Sequence, residues 1–140
     1  MSDKCFLDTN ILIYSVDQAS PAKQIRARRL VTDSATNKRG VISYQVVQEF
    51  VNVALRKFQG IVLRPDLDSF LQGVLFPMMA VPSSPWLFLE ALRFYDASSL
   101  SWYDALIVAA ALQGNCKVLY SEDMQHGRRF GDLVIENPFL

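Results

Sequence analysis

Four acidic residues lie in or directly after apolar segments, where a carboxylate is costly to bury without a partner. Asp8 follows an apolar strand-like segment, Glu49 lies on an apolar helix face, Asp104 begins a strongly apolar helix and Asp123 closely follows another apolar strand. Carboxylates that lie close together raise one another's pKa unless a cation neutralises them. Oxygen ligands of this kind favour Mg²⁺ or Mn²⁺, and the chain offers no His and Cys set for zinc. Such an ion can activate water and stabilise the charge that develops on a phosphodiester.

Helices and strands alternate along the chain. Hydrophobic periodicity predicts strands at residues 4–7, 41–42, 78–81, 117–120 and 133–135. It predicts a short helix or turn from residue 10 and helices at 22–35, 46–58, 66–75, 85–95 and 102–113, with Ser20, Ser43 and Ser101 as N-caps. This alternation is typical of an α/β domain with a mainly parallel sheet covered by helices on both faces. Ligand sites in such sheets lie beyond the C-terminal ends of the strands, which is where Asp8 and Asp123 are predicted to meet.

Length and composition predict one globular domain. The chain has 140 residues, of which 51% are apolar and 20% charged, and its fourteen basic and fourteen acidic residues balance. The longest apolar run, residues 105–112, is far shorter than the roughly 20 residues of a membrane-spanning helix. Asp3 and Asp8 interrupt the N-terminal segment, so no signal peptide is expected and the predicted location is cytoplasmic. Cys5 and Cys116 are the only cysteines, and we expect both to be reduced core residues.

The four acidic segments together resemble the successive motifs of PIN-domain ribonucleases. These segments are LDTN around Asp8, VVQEFVNV around Glu49, SWYDALIVAAAL around Asp104 and VLYSEDM around Asp123. Their order and the chain length are most similar to the VapC-type toxins of toxin–antitoxin pairs. The resemblance implies a three-layer α/β/α fold and a single nuclease domain spanning residues 1–140. It also implies a Mg²⁺- or Mn²⁺-dependent endoribonuclease that hydrolyses RNA by a metal-activated water.

The resemblance also implies roles for individual residues. Asp8, Glu49, Asp104 and Asp123 become the catalytic and metal-binding acids, and Asn10 and Ser121 become supporting residues that orient the first acid and the metal waters. The family often has threonine where this chain has Ser121, and Glu122 adds a further acid. The sequence therefore leaves open whether Glu122 or Asp123 is the fourth acid.

The implied partners are RNA, a small antitoxin protein and a second copy of the chain. Two predicted apolar helices, residues 22–35 and 66–75, leave room for a homodimer interface and for binding of an antitoxin, and the sequence determines neither interface. The candidate RNA-binding residues are Arg26, Arg29, Arg128 and Arg129, although a solvated basic surface is an equal alternative for each cluster.

Other residues have simpler interpretations. His126 is predicted to be an exposed loop residue. Trp86 and Trp102 are predicted to pack in the core or between helices, with base stacking as the less favoured alternative. Asp104 alone could be a helix-start acid that stabilises the helix dipole.

Three alternative functions remain at this point. One is a PIN nuclease that processes RNA without an antitoxin, and another is a non-catalytic domain that binds RNA or protein. The third is a phosphatase of the haloacid-dehalogenase type with Asp8 as nucleophile, but that class expects a second aspartate where this chain has Asn10.

Overall fold

A six-stranded sheet forms the centre of the protein in a computed structural model that describes residues 3–140. Its strands are β1 (Lys4–Leu7), β2 (Gly40–Ser43), β3 (Met79–Val81), β4 (Cys116–Tyr120), β5 (Arg129–Phe130) and β6 (Leu133–Glu136). The spatial order is β3-β2-β1-β4-β6-β5, and every neighbouring pair is parallel except β5 and β6. Helices flank this sheet, so the predicted α/β class with a mainly parallel sheet is confirmed. Residues 1 and 2 of the predicted domain lie outside the described residues.

The helices follow the sequence pattern closely. They are α1 (Thr9–Val16), α2 (Pro21–Thr36), α3 (Tyr44–Lys57), α4 (Arg64–Phe70), α5 (Phe76–Met78), α6 (Pro85–Ala97) and α7 (Trp102–Gln113), and a π-helical turn at Leu71–Leu75 joins α4 to α5. Ser43 and Ser101 cap α3 and α7 through their side chains, as predicted. Ser20 occupies the N-cap position of α2, but its side chain makes no capping hydrogen bond.

Apolar side chains from both sheet and helices form one continuous core. The strands contribute fully buried side chains such as Phe6, Ile42 and Leu119, as central parallel strands require. Helix α7 is buried continuously from Ala105 to Ala111, so it is an inner helix, and it packs against α6. Helix α1 packs against α2 and α3.

One glycine allows β2 to approach neighbouring elements closely. A Cβ atom at Gly40 would lie 2.5 Å from Met78 Sδ and 2.8 Å from Ser34 Cβ. Both distances are well inside van der Waals contact, so no larger residue fits without a shift of α2 or of the segment before β3.

The structure corrects the sequence expectations at several places. Trp86 is 74% exposed, so its predicted packing role is wrong, whereas Trp102 is half-buried and packs against Phe88. Strand β5 had no sequence signal because it has only two residues. The helical segment predicted at 66–75 begins earlier, at Arg64, and contains the π-helical turn.

Both cysteines are free thiols, as expected. Cys116 is buried, and this burial, with a smaller effect of Cys5, raises its pKa to about 12. Cys5 is only half-buried. His126 is exposed, as predicted. Between residues 3 and 140, no helix is long and apolar enough to cross a membrane.

Candidate active site

The four predicted acids line one pocket at the C-terminal edge of the sheet. Asp8 directly follows β1, and Asp123 lies just beyond the neighbouring strand β4. From β1 the chain continues to β2, and from β4 it continues to β5 and β6, which lie in the opposite direction across the sheet. The site therefore lies where the strand order reverses, which is the usual ligand position in such folds. Helix α3 supplies Glu49, and the first turn of α7 supplies Asp104. This acid pocket encloses about 220 Å³ and is also lined by Thr9, Asn10, Ile13, Gln45, Val53, Tyr103 and Ile107.

Asp8 is the most buried of the four acids. It is the N-cap residue of α1 and only 7% exposed. Its Oδ1 accepts a hydrogen bond from the Thr9 backbone N–H (2.7 Å), and its Oδ2 accepts one from Ser121 Oγ (2.8 Å). The pKa of Asp8 is raised from 3.8 to about 7, mainly by burial. The two hydrogen bonds oppose this rise, and the nearby carboxylates of Asp104 and Glu49 contribute to it. A nearby cation would therefore be strongly favourable.

Glu49 and Asp104 lie on the helices that border the pocket. Glu49 Oε1 accepts hydrogen bonds from Thr9 Oγ1 (3.1 Å) and Gln45 Nε2 (3.2 Å), which fix its side chain beside Asp8. Partial burial raises the pKa of Asp104, and the charge of Asp123 adds to this effect while Ser101 opposes it. Ser101 Oγ also accepts a hydrogen bond from the Asp104 backbone N–H at 3.2 Å, as the N-cap of α7. The acids thus influence one another electrostatically across the pocket.

Asp123, and not Glu122, faces the acid pocket. Asn10 Nδ2 donates to Asp123 Oδ2 (3.1 Å), and Asn10 Oδ1 accepts from the Glu122 backbone N–H (3.3 Å). Asn10 therefore contacts the fourth segment, while Ser121 is the supporting residue that contacts Asp8.

The Glu122 side chain is held outside the pocket by two partners. Tyr14 Oη donates to Glu122 Oε1 at 2.6 Å, and Lys23 forms an ion pair with Glu122 Oε2. Burial alone would raise the pKa of Glu122, but the hydrogen bonds from Lys23 and Tyr14 outweigh it and lower that pKa. Glu122 therefore connects the loop after β4 to α1 and α2.

The donor atoms of the acid pocket fit a hard divalent cation. Its polar side chains offer carboxylate, amide and hydroxyl oxygens, and none of the residues that line it is His or Cys. Within residues 3–140, no three His, Cys, Asp or Glu side chains converge as a preformed metal site. Mg²⁺ is commonly held by one or two protein carboxylates together with several waters and substrate oxygens. A pocket lined by carboxylates, one of them an aspartate with a raised pKa, suits that mode of binding.

The candidate RNA-binding arginines lie outside the acid pocket. Arg26 Nε donates to the Pro138 carbonyl (3.1 Å), and the Arg128 guanidinium lies 4.9 Å from the centre of the Phe130 ring. Arg29 and Arg129 are exposed. Their contact with RNA stays a prediction.

Sequence reasoning missed three residues that shape the pocket. Thr9 and Gln45 hold Glu49, and Tyr103 forms part of the pocket wall. Their positions give a usable signal, because Thr9 and Tyr103 are direct neighbours of the acids Asp8 and Asp104, and Gln45 precedes Glu49 by one helical turn.

Solved structures of known proteins share the fold of this chain. FitAcB from Neisseria gonorrhoeae matches with a TM-score of 0.64 and 19% identity, over 96% of this chain and 98% of that one. A toxin–antitoxin complex from Klebsiella pneumoniae matches with a TM-score of 0.66 and 17% identity, over 96% and 98%. VapBC2 from Rickettsia felis, bound to a promoter DNA fragment, matches with a TM-score of 0.61 and 20% identity, over 95% of this chain and 97% of that one. At these identities the likeness concerns the fold.

A search of curated protein sequences finds no significant match. The sequence profile of the PIN domain, however, matches residues 5–129, which include all four acids of the pocket. This protein therefore belongs to the PIN domain family.

Proposed function

We propose that this protein is a Mg²⁺- or Mn²⁺-dependent endoribonuclease formed by a single nuclease domain. The observation that carries the proposal is the acid pocket itself, in which four carboxylates from four parts of the chain line about 220 Å³ at the ligand edge of the sheet. A domain that only bound RNA would gain nothing from concentrating negative charge opposite a polyanion. A divalent ion reverses this disadvantage, because it neutralises the acids and attracts the phosphate.

Each acid has a role that follows from its surroundings. Asp8 and Asp104 would bind the ion directly, since burial raises the pKa of both and a cation offsets that cost. Glu49 and Asp123 would complete the site, held by hydrogen bonds from Thr9 and from Asn10 respectively. When bound, Mg²⁺ or Mn²⁺ lowers the pKa of a coordinated water and stabilises negative charge on a phosphodiester.

We further propose that the enzyme is the toxin of a type II toxin–antitoxin pair. The support is the combination of PIN family membership with a fold that matches a toxin–antitoxin complex along nearly the full chain. A small antitoxin protein is then the expected partner, a homodimer the expected assembly, and the cytoplasm the expected location. A stand-alone PIN nuclease is the alternative, and a short antitoxin-like reading frame beside this one would decide between them.

The activity is tested with purified protein free of any partner. Single-stranded RNA is incubated with wild type, Asp8→Asn and Asp104→Asn, with Mg²⁺, with Mn²⁺ or with EDTA. Asp96→Asn, an exposed acid on α6 that is absent from the pocket lining, is the matched control. We expect cleavage by wild type and the control only with a divalent ion, and almost none by the two pocket variants. Equal cleavage by all four proteins, or cleavage in EDTA, would reject the proposal.

The remaining alternatives predict different results. A non-catalytic binding domain would bind RNA without cleaving it under any of these conditions. Family membership leaves the haloacid-dehalogenase alternative without support.

A further inference from the structure

A second pocket lies directly beside the acid pocket. It encloses about 240 Å³ between the N-terminal ends of α3 and α7 and the adjoining part of α6. We call it the aromatic pocket and define it by the side chains that matter here, Tyr44, Gln45, Gln48, Phe88, Trp102 and Tyr103. The acid pocket does not explain this concentration of aromatic side chains, so the aromatic pocket needs an explanation of its own.

The two pockets are neighbours that share part of their lining. Gln45 and Tyr103 line both of them. Tyr103 directly precedes Asp104 in α7, and Gln45 Nε2 donates to Glu49 Oε1 at 3.2 Å. Any ligand group in the aromatic pocket would therefore be adjacent to a group held by the acids.

The chemistry of the aromatic pocket differs sharply from that of the acid pocket. None of the residues that line it is charged, so it suits a neutral group better than a phosphate or a charged peptide side chain. Tyr103 is 64% exposed, and Phe88 and Trp102 pack with ring centroids 6.2 Å apart. Exposed rings of this kind are stacking surfaces for a flat heterocycle. Gln45 and Gln48 add amide groups that can hydrogen-bond to the edge of such a ring.

We propose that the aromatic pocket binds one unpaired base of the RNA, next to the phosphate that the acid pocket cleaves. This inference rests on the proposed ribonuclease function. A nucleotide combines a charged phosphate with a neutral flat base, and the two pockets place a proposed ion site beside a neutral aromatic site, with Gln45 and Tyr103 between them. An unstacked base requires single-stranded RNA, so the pocket selects loops and single strands over duplexes. The glutamine amides make the pocket the place where a preference among bases would arise.

Binding is tested without divalent ions and without cleavage. The chain has two tryptophans, and replacing the exposed Trp86 (Trp86→Phe) leaves Trp102 as the only source of an indole N–H signal in NMR spectra. The probes are the four nucleoside 5′-monophosphates, each titrated separately, and ribose 5-phosphate is the control that lacks a base. We expect a saturable shift of the Trp102 signal with at least one nucleotide and none with ribose 5-phosphate.

Variants of Tyr103 connect that signal to the pocket. Tyr103→Ala should weaken nucleotide binding by roughly tenfold or more, as loss of one stacking ring does. Tyr103→Phe keeps the ring and should retain binding. Tyr95→Ala removes an exposed aromatic ring of α6 that is not part of the pocket, so it should bind like the parent protein.

Two outcomes would overturn the proposal. One is a Trp102 response to nucleotides that ribose 5-phosphate reproduces or that Tyr103→Ala leaves unchanged. The other is unchanged nucleotide binding combined with a loss of self-association in Tyr103→Ala by sedimentation, which would identify the pocket as a protein interface. Either outcome can be found in a protein that still cleaves RNA, and a protein that does not cleave RNA can still bind a base. The cleavage proposal and the base-binding proposal are therefore tested separately.

Discussion

The buried Asp8 carboxylate should make the stability of the metal-free protein depend on pH. Both of its oxygens accept hydrogen bonds, but burial still raises its pKa from 3.8 to about 7. The folded state therefore holds the proton more tightly than the unfolded state does. The resulting stabilisation is complete below the unfolded pKa near 3.8 and is lost as the pH rises through the folded pKa near 7.

The size of this effect follows from the shift. A pKa raised from 3.8 to about 7 corresponds to a loss of about 4 kcal/mol, of which about 3 kcal/mol falls between pH 5 and pH 8. Asp8→Asn removes the titration while keeping the shape of the side chain. Its amide oxygen can accept from the Thr9 N–H, and the Ser121 hydroxyl can rotate to accept from the new NH₂ group.

Urea unfolding of EDTA-treated wild type and Asp8→Asn at several pH values provides the measurement. The free energy of unfolding of the variant, minus that of wild type, should increase by about 3 kcal/mol from pH 5 to pH 8. Other titrating groups largely cancel in this difference. Mg²⁺ at pH 8 should stabilise wild type more than the variant, because the ion stabilises a folded state in proportion to its affinity and the variant lacks the Asp8 carboxylate. A difference that stays constant with pH would show that the pKa of Asp8 is not raised in the folded protein.

Two further predictions concern other parts of the structure. Gly40→Ala should lower the free energy of unfolding by about 1–3 kcal/mol, because its Cβ would meet Met78. The control is Gly73→Ala, whose Cβ meets nothing within 4 Å, and it should be close to neutral in the same urea titration. Glu122→Gln should change the rate of RNA cleavage by less than about fivefold, because it breaks only a partly exposed ion pair that lies outside the acid pocket. Asp123→Asn should lose far more activity, and equal losses would contradict the assignment of Asp123 as the pocket acid.

The sequence predicted the elements whose signal is local. The serine caps Ser43 and Ser101 and the short apolar strands lie at the predicted positions, because each depends on a few neighbouring residues. Strand β5 was missed because two residues carry no periodicity, and its partner β6 supplies the pairing. Trp86 was misplaced because an aromatic residue in an apolar helix is usually buried, and only the packed structure shows which face of α6 remains exposed.

The candidate site was predictable to the same extent. The convergence of Asp8 and Asp123 followed from parallel strands that end at one edge. The choice between Glu122 and Asp123 did not follow from the sequence, since both residues lie on one loop and only the directions of their side chains differ. That direction depends on Lys23 and Tyr14, which are distant in sequence and reach Glu122 through the packing of α1 and α2.

The hydrogen bond between Ser121 and Asp8 also has a consequence for folding. It joins residues 113 positions apart, and the pairing of β1 with β4 brings them together. Contacts of such long range require the closure of a large loop, which makes them slow to form compared with a single helix. The acid pocket is therefore complete only after the centre of the sheet has closed. A partly folded chain can contain most of its helices and still have no site at all.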